Sequence, residues 1–207
     1  MLAWLSLETL AVLSAIAYLF LAIRENIYCW YFAFFSTALY AWIFRDVNLY
    51  MESALNVYYV LMAFYGWFCW RTSKAKGEGL KIKSWKLNLH LKVIGLICLL
   101  TAVSGVLLSL NTNAHFPYLD SLTTWGSVIT TFMVARKVLE NWLYWVVINS
   151  FSVFLYVDRD LYQTAILFAI YIAMSVKGYF QWRTIYQRES EQHSSADAKS
   201  MAELESH

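Results

Sequence analysis

Two stretches of the chain, "YVLMAFYGWFCWRT" at residues 59–72 and "YIAMSVKGYFQWRT" at residues 171–184, carry the same residues at the same positions. They share the opening tyrosine, a methionine, a glycine, a phenylalanine and a closing Trp-Arg-Thr. Apolar identities arise easily between any two membrane helices, whereas a shared glycine and Trp-Arg-Thr at one offset do not. The match indicates an internal duplication, and this duplication decides the predicted fold.

The duplication extends towards the N-terminus when the acidic dipeptides are matched. Three residues are then absent from the second copy before the matches resume at two aspartates. The matched pairs are Glu25-Asn26 with Glu140-Asn141, Trp30 with Trp145, and Asp46 with Asp158. In this alignment the counterpart of Asn149 is Phe34.

The composition is typical of an all-α integral membrane protein. Of 207 residues, 60% are hydrophobic and 14% are charged, and the mean hydropathy is +0.47. A soluble domain carries about 25% charged residues. Aromatic residues make up 18% of the chain, as expected for helices with aromatic belts at the membrane surfaces. The net charge of +2 gives no indication of a nucleic-acid partner.

Seven apolar runs are long enough to span a bilayer. Two three-helix repeats with one linking helix between them share one orientation, which predicts a 3+1+3 parallel repeat of the kind found in transporters. The runs are Trp4–Ile23, Ile27–Phe44, Leu49–Trp70, Leu89–Leu110, Tyr118–Val134, Leu139–Val157 and Leu161–Trp182. The predicted units are a first repeat (1–72), a basic loop with the linker helix (73–112), a second repeat (113–185) and a disordered cytoplasmic tail (186–207).

Lysine and arginine are distributed unequally between the two ends of the predicted helices. Arg45 and Arg159 lie at one end, and the other end receives most of the remaining basic residues. The positive-inside rule predicts an external N-terminus and a cytoplasmic C-terminus. The residues at the basic end are Arg24, Arg71, Lys74, Lys76, Lys81, Lys83, Lys86, Arg136, Lys137, Arg183 and Arg188.

The middle of the predicted bundle offers aromatic and neutral polar groups in place of charges. Such a site suits a flat molecule that is polar and either neutral or cationic, since indole faces attract cations by about 0.5–2 kcal/mol. The candidate residues are Trp145, Trp182, Tyr59, Tyr171, Asn56, Asn149, Ser175 and Gln181.

A stripe of two tryptophans and an asparagine marks the sixth predicted helix. Trp142, Trp145 and Asn149 fall within about 60° of one another on a helix. Two structural interpretations compete with substrate binding. A lone Asn often hydrogen-bonds one membrane helix to another, and such a contact stabilises the protein by about 0.6 kcal/mol. Trp142 also suits a belt of aromatic residues at the membrane interface.

These three residues spell W-x-x-W-x-x-x-N, and the chain resembles the PnuC-type vitamin transporters from its first helix to Arg183. The resemblance implies a SWEET-like fold and a homotrimer in the bacterial inner membrane. It further implies facilitated diffusion of nicotinamide riboside, which an intracellular kinase traps for NAD biosynthesis. In that case Trp145 and Trp182 would face the pyridinium ring, and Asn149 would bind the carboxamide or the ribose.

Other interpretations remain open at this stage. The substrate could be thiamine or riboflavin, because thiamine is also a cationic aromatic molecule. A retinal photoreceptor would need Lys177 at mid-helix beside a carboxylate, and the sequence places this lysine near the helix end. We expect no enzyme activity, metal or cofactor, since the sequence contains no ATP-binding loop and its three cysteines lie apart.

Two glycines occupy equivalent positions in the duplication. Gly66 and Gly178 are hinge candidates, and close helix packing is the competing interpretation.

Overall fold

The computed structural model describes residues 2–46, 50–75, 79–111, 115–158 and 162–205. This part of the chain forms seven helices and no strand, which confirms the predicted all-α class. The helices are α1 (Leu2–Ile23), α2 (Cys29–Asp46), α3 (Tyr50–Ala75), α4 (Leu87–Asn111), α5 (Pro117–Ala135), α6 (Asn141–Asp158) and α7 (Tyr162–Glu205). The sequence-predicted Leu49, Arg159 and Leu161 fall outside the described residues.

Most helix ends agree with the apolar runs to within a few residues, and α7 is the main exception. It continues to Glu205, through the segment from residue 186 onward for which the sequence predicts a disordered tail. Low hydrophobicity is the basis of that prediction, whereas nine of the 22 residues from 186 onward are Ala, Glu or Gln, which are strong helix formers. The predicted boundaries at residues 72 and 185 therefore lie inside α3 and α7.

Six of the helices form a closed ring in the order α1, α2, α3, α5, α6, α7. The contacts α1–α2, α2–α3 and α3–α5 have the counterparts α5–α6, α6–α7 and α7–α1. This pattern is that of two three-helix units related by a pseudo-twofold axis through the ring. Helix α4 lies outside the ring, where α5 is its packing partner among the described helices.

The ends of α1 and α5 have the same backbone hydrogen bonds. Asn26 N donates to Leu21 O and Glu25 N to Ala22 O, while Val138 N donates to Met133 O and Lys137 N to Val134 O. Both are Schellman motifs, which satisfy the last helix carbonyls through a residue in the left-handed conformation.

These hydrogen bonds correct the register of the duplication. Glu25 corresponds to Lys137, 112 residues later, and not to Glu140. The same offset pairs Trp30 with Trp142 and continues to Asp46 with Asp158, so no residues are lost between the copies. The recurring Glu-Asn dipeptide gave the wrong register because neither turn carries the glycine that usually marks the left-handed residue at a helix C-terminus.

The outer surface of the ring is apolar. Large apolar side chains such as Phe35, Trp42, Leu61 and Val147 are more than half exposed, as expected for a surface that faces lipid. By length and composition alone, two described helices can cross a membrane, Leu87–Asn111 and Ala165–Gln192. Leu7–Ile23 and Cys29–Ile43 are shorter apolar helices.

Candidate functional site

A cavity of about 250 Å³ lies on the pseudo-twofold axis, inside the ring of six helices. Each of these helices contributes side chains to its wall, and none of the described side chains that line it is charged. The lining residues are Ala15, Tyr18 and Leu19 (α1), Trp30, Ala33, Ser36 and Thr37 (α2), Tyr59 (α3), Ser127, Thr131 and Val134 (α5), Trp142, Trp145 and Asn149 (α6), and Phe168, Tyr171 and Ser175 (α7).

The aromatic part of the wall follows the duplication. Trp30 and Trp142 are equivalent residues, and so are Tyr59 and Tyr171. Each tryptophan packs over the equivalent glycine of its own repeat, because a Cβ at Gly66 would overlap the Trp30 indole and one at Gly178 would lie 2.7 Å from Trp142. These contacts favour the close-packing interpretation of the two glycines, and the hinge role stays a prediction.

The polar part of the wall breaks the duplication. Ser127, Thr131 and Asn149 of the second repeat face the cavity, and the first repeat places Ala15, Leu19 and Thr37 at the equivalent positions. A bound molecule therefore meets aromatic rings from both repeats and most of its hydrogen-bonding groups from α5, α6 and α7. This asymmetry provides a way to orient a substrate that is polar on one side.

Three buried polar atoms of the cavity wall lack a hydrogen-bond partner among the described residues. They are Nε1 of Trp30, Nε1 of Trp142 and the Ser175 hydroxyl. Burying such a group without a partner costs about 1–3 kcal/mol. The two indole N–H donors belong to equivalent wall residues of the two repeats, and both are buried.

Six of the nine residues predicted from the sequence line this cavity: Trp142, Trp145, Asn149, Tyr59, Tyr171 and Ser175. Asn149 is 4% exposed and Trp142 is 1% exposed. The interfacial-belt interpretation of Trp142 is therefore wrong, since this side chain lies in the core against Trp182. Trp145 is half-buried and belongs to the wall.

Three predicted residues do not line the cavity. Trp182 is fully buried beneath the wall, where its ring meets the Trp142 ring edge-on at 5.3 Å and its Nε1 donates to Ala22 O. The prediction that Trp182 stacks on the substrate is replaced by a supporting role. Asn56 is buried and Gln181 is half-buried, both outside the lining set.

Several lining residues were not predicted from the sequence, including Trp30, Thr37, Ser127 and Thr131. The correct register of the duplication identifies Trp30 and Thr37 as the equivalents of Trp142 and Asn149. Ser127 and Thr131 lie one turn apart on α5, a spacing that is common in any helix and carries no specific signal. Lys177 is exposed and outside the cavity, which removes the basis for a retinal site.

Comparison with known proteins agrees with this architecture. The chain is 26% identical to the nicotinamide riboside transporter PnuC of Escherichia coli, over 87% of this chain and 85% of that protein. It is 24% identical to a PnuC of Neisseria mucosa, over 78% of this chain and 65% of that protein. A crystal structure of the vitamin B3 transporter PnuC has the same fold, with a TM-score of 0.71 and 24% identity over 88% of this chain and 82% of that one.

The family model described as nicotinamide mononucleotide transporter matches residues 5–184, which include all the residues that line the cavity. This protein therefore belongs to that family of membrane transporters.

Proposed function

We propose that this protein carries nicotinamide riboside across a membrane through the cavity on the pseudo-twofold axis. The observation that carries the proposal is a cavity whose described lining is uncharged and has tryptophan and tyrosine at equivalent positions of both repeats. The names of the relatives in E. coli and N. mucosa support the same substrate.

The chemistry of the wall suits the three parts of this riboside. Its pyridinium ring is a flat cation, which indole faces such as that of Trp145 attract. The Asn149 amide can both donate to and accept from a carboxamide, and the hydroxyls of Ser127 and Thr131 suit a ribose. The first repeat would supply the apolar side of the site.

The same cavity disfavours the phosphorylated form of the substrate. None of the side chains lining the described cavity is charged, so a phosphate there would lose water without gaining a cationic partner. That loss costs several kcal/mol. Although the family model carries the name of the mononucleotide, the cavity favours the riboside, and phosphorylation inside the cell would prevent its return.

We further propose that the basic end of the bundle is cytoplasmic, with the N-terminus outside and the protein in the bacterial inner membrane. Arg24, Arg71, Lys81, Arg136 and Arg183 belong to this end, and Arg45 belongs to the other. Short basic loops are retained in the cytoplasm.

Transport by facilitated diffusion would follow from rocking of the two three-helix units about the cavity. An uncharged wall fits a uniporter, since coupled carriers usually place an acidic group deep in the membrane. The homotrimer implied by the family resemblance belongs to this proposal, and native mass spectrometry of the purified protein tests it.

Binding and vesicle uptake test the substrate. We expect nicotinamide riboside to bind at least about 100-fold more tightly than the mononucleotide, because of the unpaired phosphate. In vesicles without ATP, labelled riboside should exchange in both directions and stop at equal concentrations. Tighter binding of thiamine or riboflavin than of nicotinamide riboside would show that another vitamin is the substrate. Accumulation of the riboside driven by an ion gradient would overturn the uniport mechanism.

A further inference from the structure

Glu25 and Lys137 form an ion pair between equivalent positions of the two repeats. Lys137 Nζ lies 2.5 Å from Glu25 Oε2, and the two side chains are only 10% and 17% exposed. Two residues related by a twofold axis can touch each other only at that axis. The ion pair therefore lies on the pseudo-twofold axis, at the basic end of the bundle and in line with the cavity.

Four tryptophans in contact with one another connect this ion pair to the cavity wall, and we call them the tryptophan layer: Trp30, Trp70, Trp142 and Trp182. All four are at most 4% exposed. Trp30 meets Trp70 edge-on at 5.5 Å, and Trp142 meets Trp182 in the same way at 5.3 Å. The Lys137 ammonium stacks on this layer, 4.7 Å from the centre of the Trp70 ring.

The tryptophan layer joins the two repeats by reciprocal hydrogen bonds. Trp70 of the first repeat donates its Nε1 to Ala135 O of the second, at 3.2 Å. Trp182 of the second repeat donates its Nε1 to Ala22 O of the first, at 3.1 Å. Both acceptors belong to the last turns of α1 and α5, next to Glu25 and Lys137. The ion pair and the layer together join the two repeats at the basic end of the bundle.

We propose that the Glu25–Lys137 pair is a latch that holds the cavity shut at the basic end and must separate to release the substrate there. The latch rests on the proposed transport function. A pair at the basic end of the bundle suits this role, because its charges return to water when they separate and are not left buried without partners. A conformational change then needs only a small free-energy bias.

The latch can be tested by exchanging its two residues, because Glu25 and Lys137 have the same backbone conformation. Glu25 and Lys137 have φ angles of 54° and 50°, so each position already accepts a long charged side chain in the left-handed conformation. Exchanging the two residues in Glu25→Lys/Lys137→Glu should rebuild the pair with its charges reversed. Each single variant, Glu25→Gln or Lys137→Gln, removes the attraction and keeps a side chain of similar length.

Cys29 provides the reporter, since it is fully buried in the same cluster as the tryptophan layer. With Cys69→Ser and Cys98→Ser it is the only thiol. We would measure its reaction rate with a small charged methanethiosulfonate in purified, substrate-free protein. Both single variants should react about tenfold faster than the parent, as expected when the open state becomes more populated. The exchanged pair should return to within about threefold of the parent rate.

Arg24→Gln is the matched control, because it removes an exposed charge from the same turn without touching the pair. Its Cys29 should react at the parent rate. Parent-like rates in either single variant, or an exchanged pair as reactive as the singles, would overturn the latch. Riboside binding is measured separately in the same proteins. Failure to bind would reject the substrate, while the cysteine rates would still decide the latch.

Discussion

At the scale of single residues, two charged side chains occupy backbone positions with a left-handed conformation that favours glycine. A left-handed residue other than glycine costs about 1–2 kcal/mol, and the left-handed residue of a Schellman motif is usually glycine. Glu25 and Lys137 both adopt this conformation, and their side chains meet on the axis. The strain at each turn is thus associated with a contact that glycine could not make.

At the same scale, we predict that the side-chain amide of Asn149 contributes to substrate affinity, because it lines the cavity. Asn149→Leu preserves helix propensity in α6 and removes the only carboxamide among the described residues of the cavity lining. Riboside affinity should fall about tenfold or more, since a ligand group left without its partner costs about 1–3 kcal/mol. Isothermal titration calorimetry measures this change.

The control for that variant is Asn56, another buried amide of the described ring helices. Asn56 is 9% exposed and does not line the cavity, so Asn56→Leu should lower the unfolding temperature while leaving affinity within about twofold. Wild-type affinity in a folded Asn149→Leu protein would show that this amide only joins helices.

At the scale of elements, the glycines of α3 and α7 determine how closely the tryptophans of α2 and α6 approach. Gly178→Ala would push a methyl group against the Trp142 indole, 2.7 Å away. Overpacking of this kind costs about 1–3 kcal/mol. We therefore expect a lower unfolding temperature and weaker riboside binding, because Trp142 is part of the cavity wall.

Gly95 in α4 is the matched control for this substitution. A Cβ at Gly95 meets nothing within 4 Å, so Gly95→Ala should be neutral or stabilising by up to about 1 kcal/mol through helix propensity. Equal effects of the two substitutions on unfolding would contradict the packing role of Gly178.

The basic linker between α3 and α4 is held by Glu140. This carboxylate accepts hydrogen bonds from the Ser84 hydroxyl and from Trp85 N, and Lys83 pairs with the backbone of Lys137 and Leu139. Glu140→Ala should loosen the linker and speed trypsin cleavage after Lys81 or Lys83 by about threefold or more.

Mass spectrometry of the fragments measures the cleavage rate. The exposed Glu191 of α7 offers a comparison, because Glu191→Ala removes a carboxylate that does not contact the linker in any described hydrogen bond. Unchanged cleavage in Glu140→Ala would mean that other contacts hold the linker.

At the scale of the whole molecule, the distribution of basic residues predicts how the bundle lies in the membrane. In a chain without Cys69 and Cys98, Lys81→Cys should resist an impermeant maleimide in intact cells and react in inside-out vesicles. His115→Cys, at the opposite end and exposed, should show the reverse pattern. Labelling of position 81 in intact cells would invert the proposed orientation.

The sequence by itself determined the membrane class, the seven helices, the charge asymmetry and most of the aromatic wall. These depend on composition and on periodic apolar runs, which the chain carries locally. It also indicated the duplication, and Trp142, Trp145 and Asn149 were recognisable from their spacing alone.

Only the tertiary structure decided which residues are equivalent and which of them meet. Residue identity aligned Glu25 with Glu140 in the duplication, whereas the equivalent hydrogen bonds at the ends of α1 and α5 align Glu25 with Lys137. Sequence placed Trp182 on the substrate, whereas packing places it behind Trp142, bonded to Ala22. An axis of symmetry is a property of the arrangement of helices in space, and contacts across it join residues that are 112 positions apart in the chain.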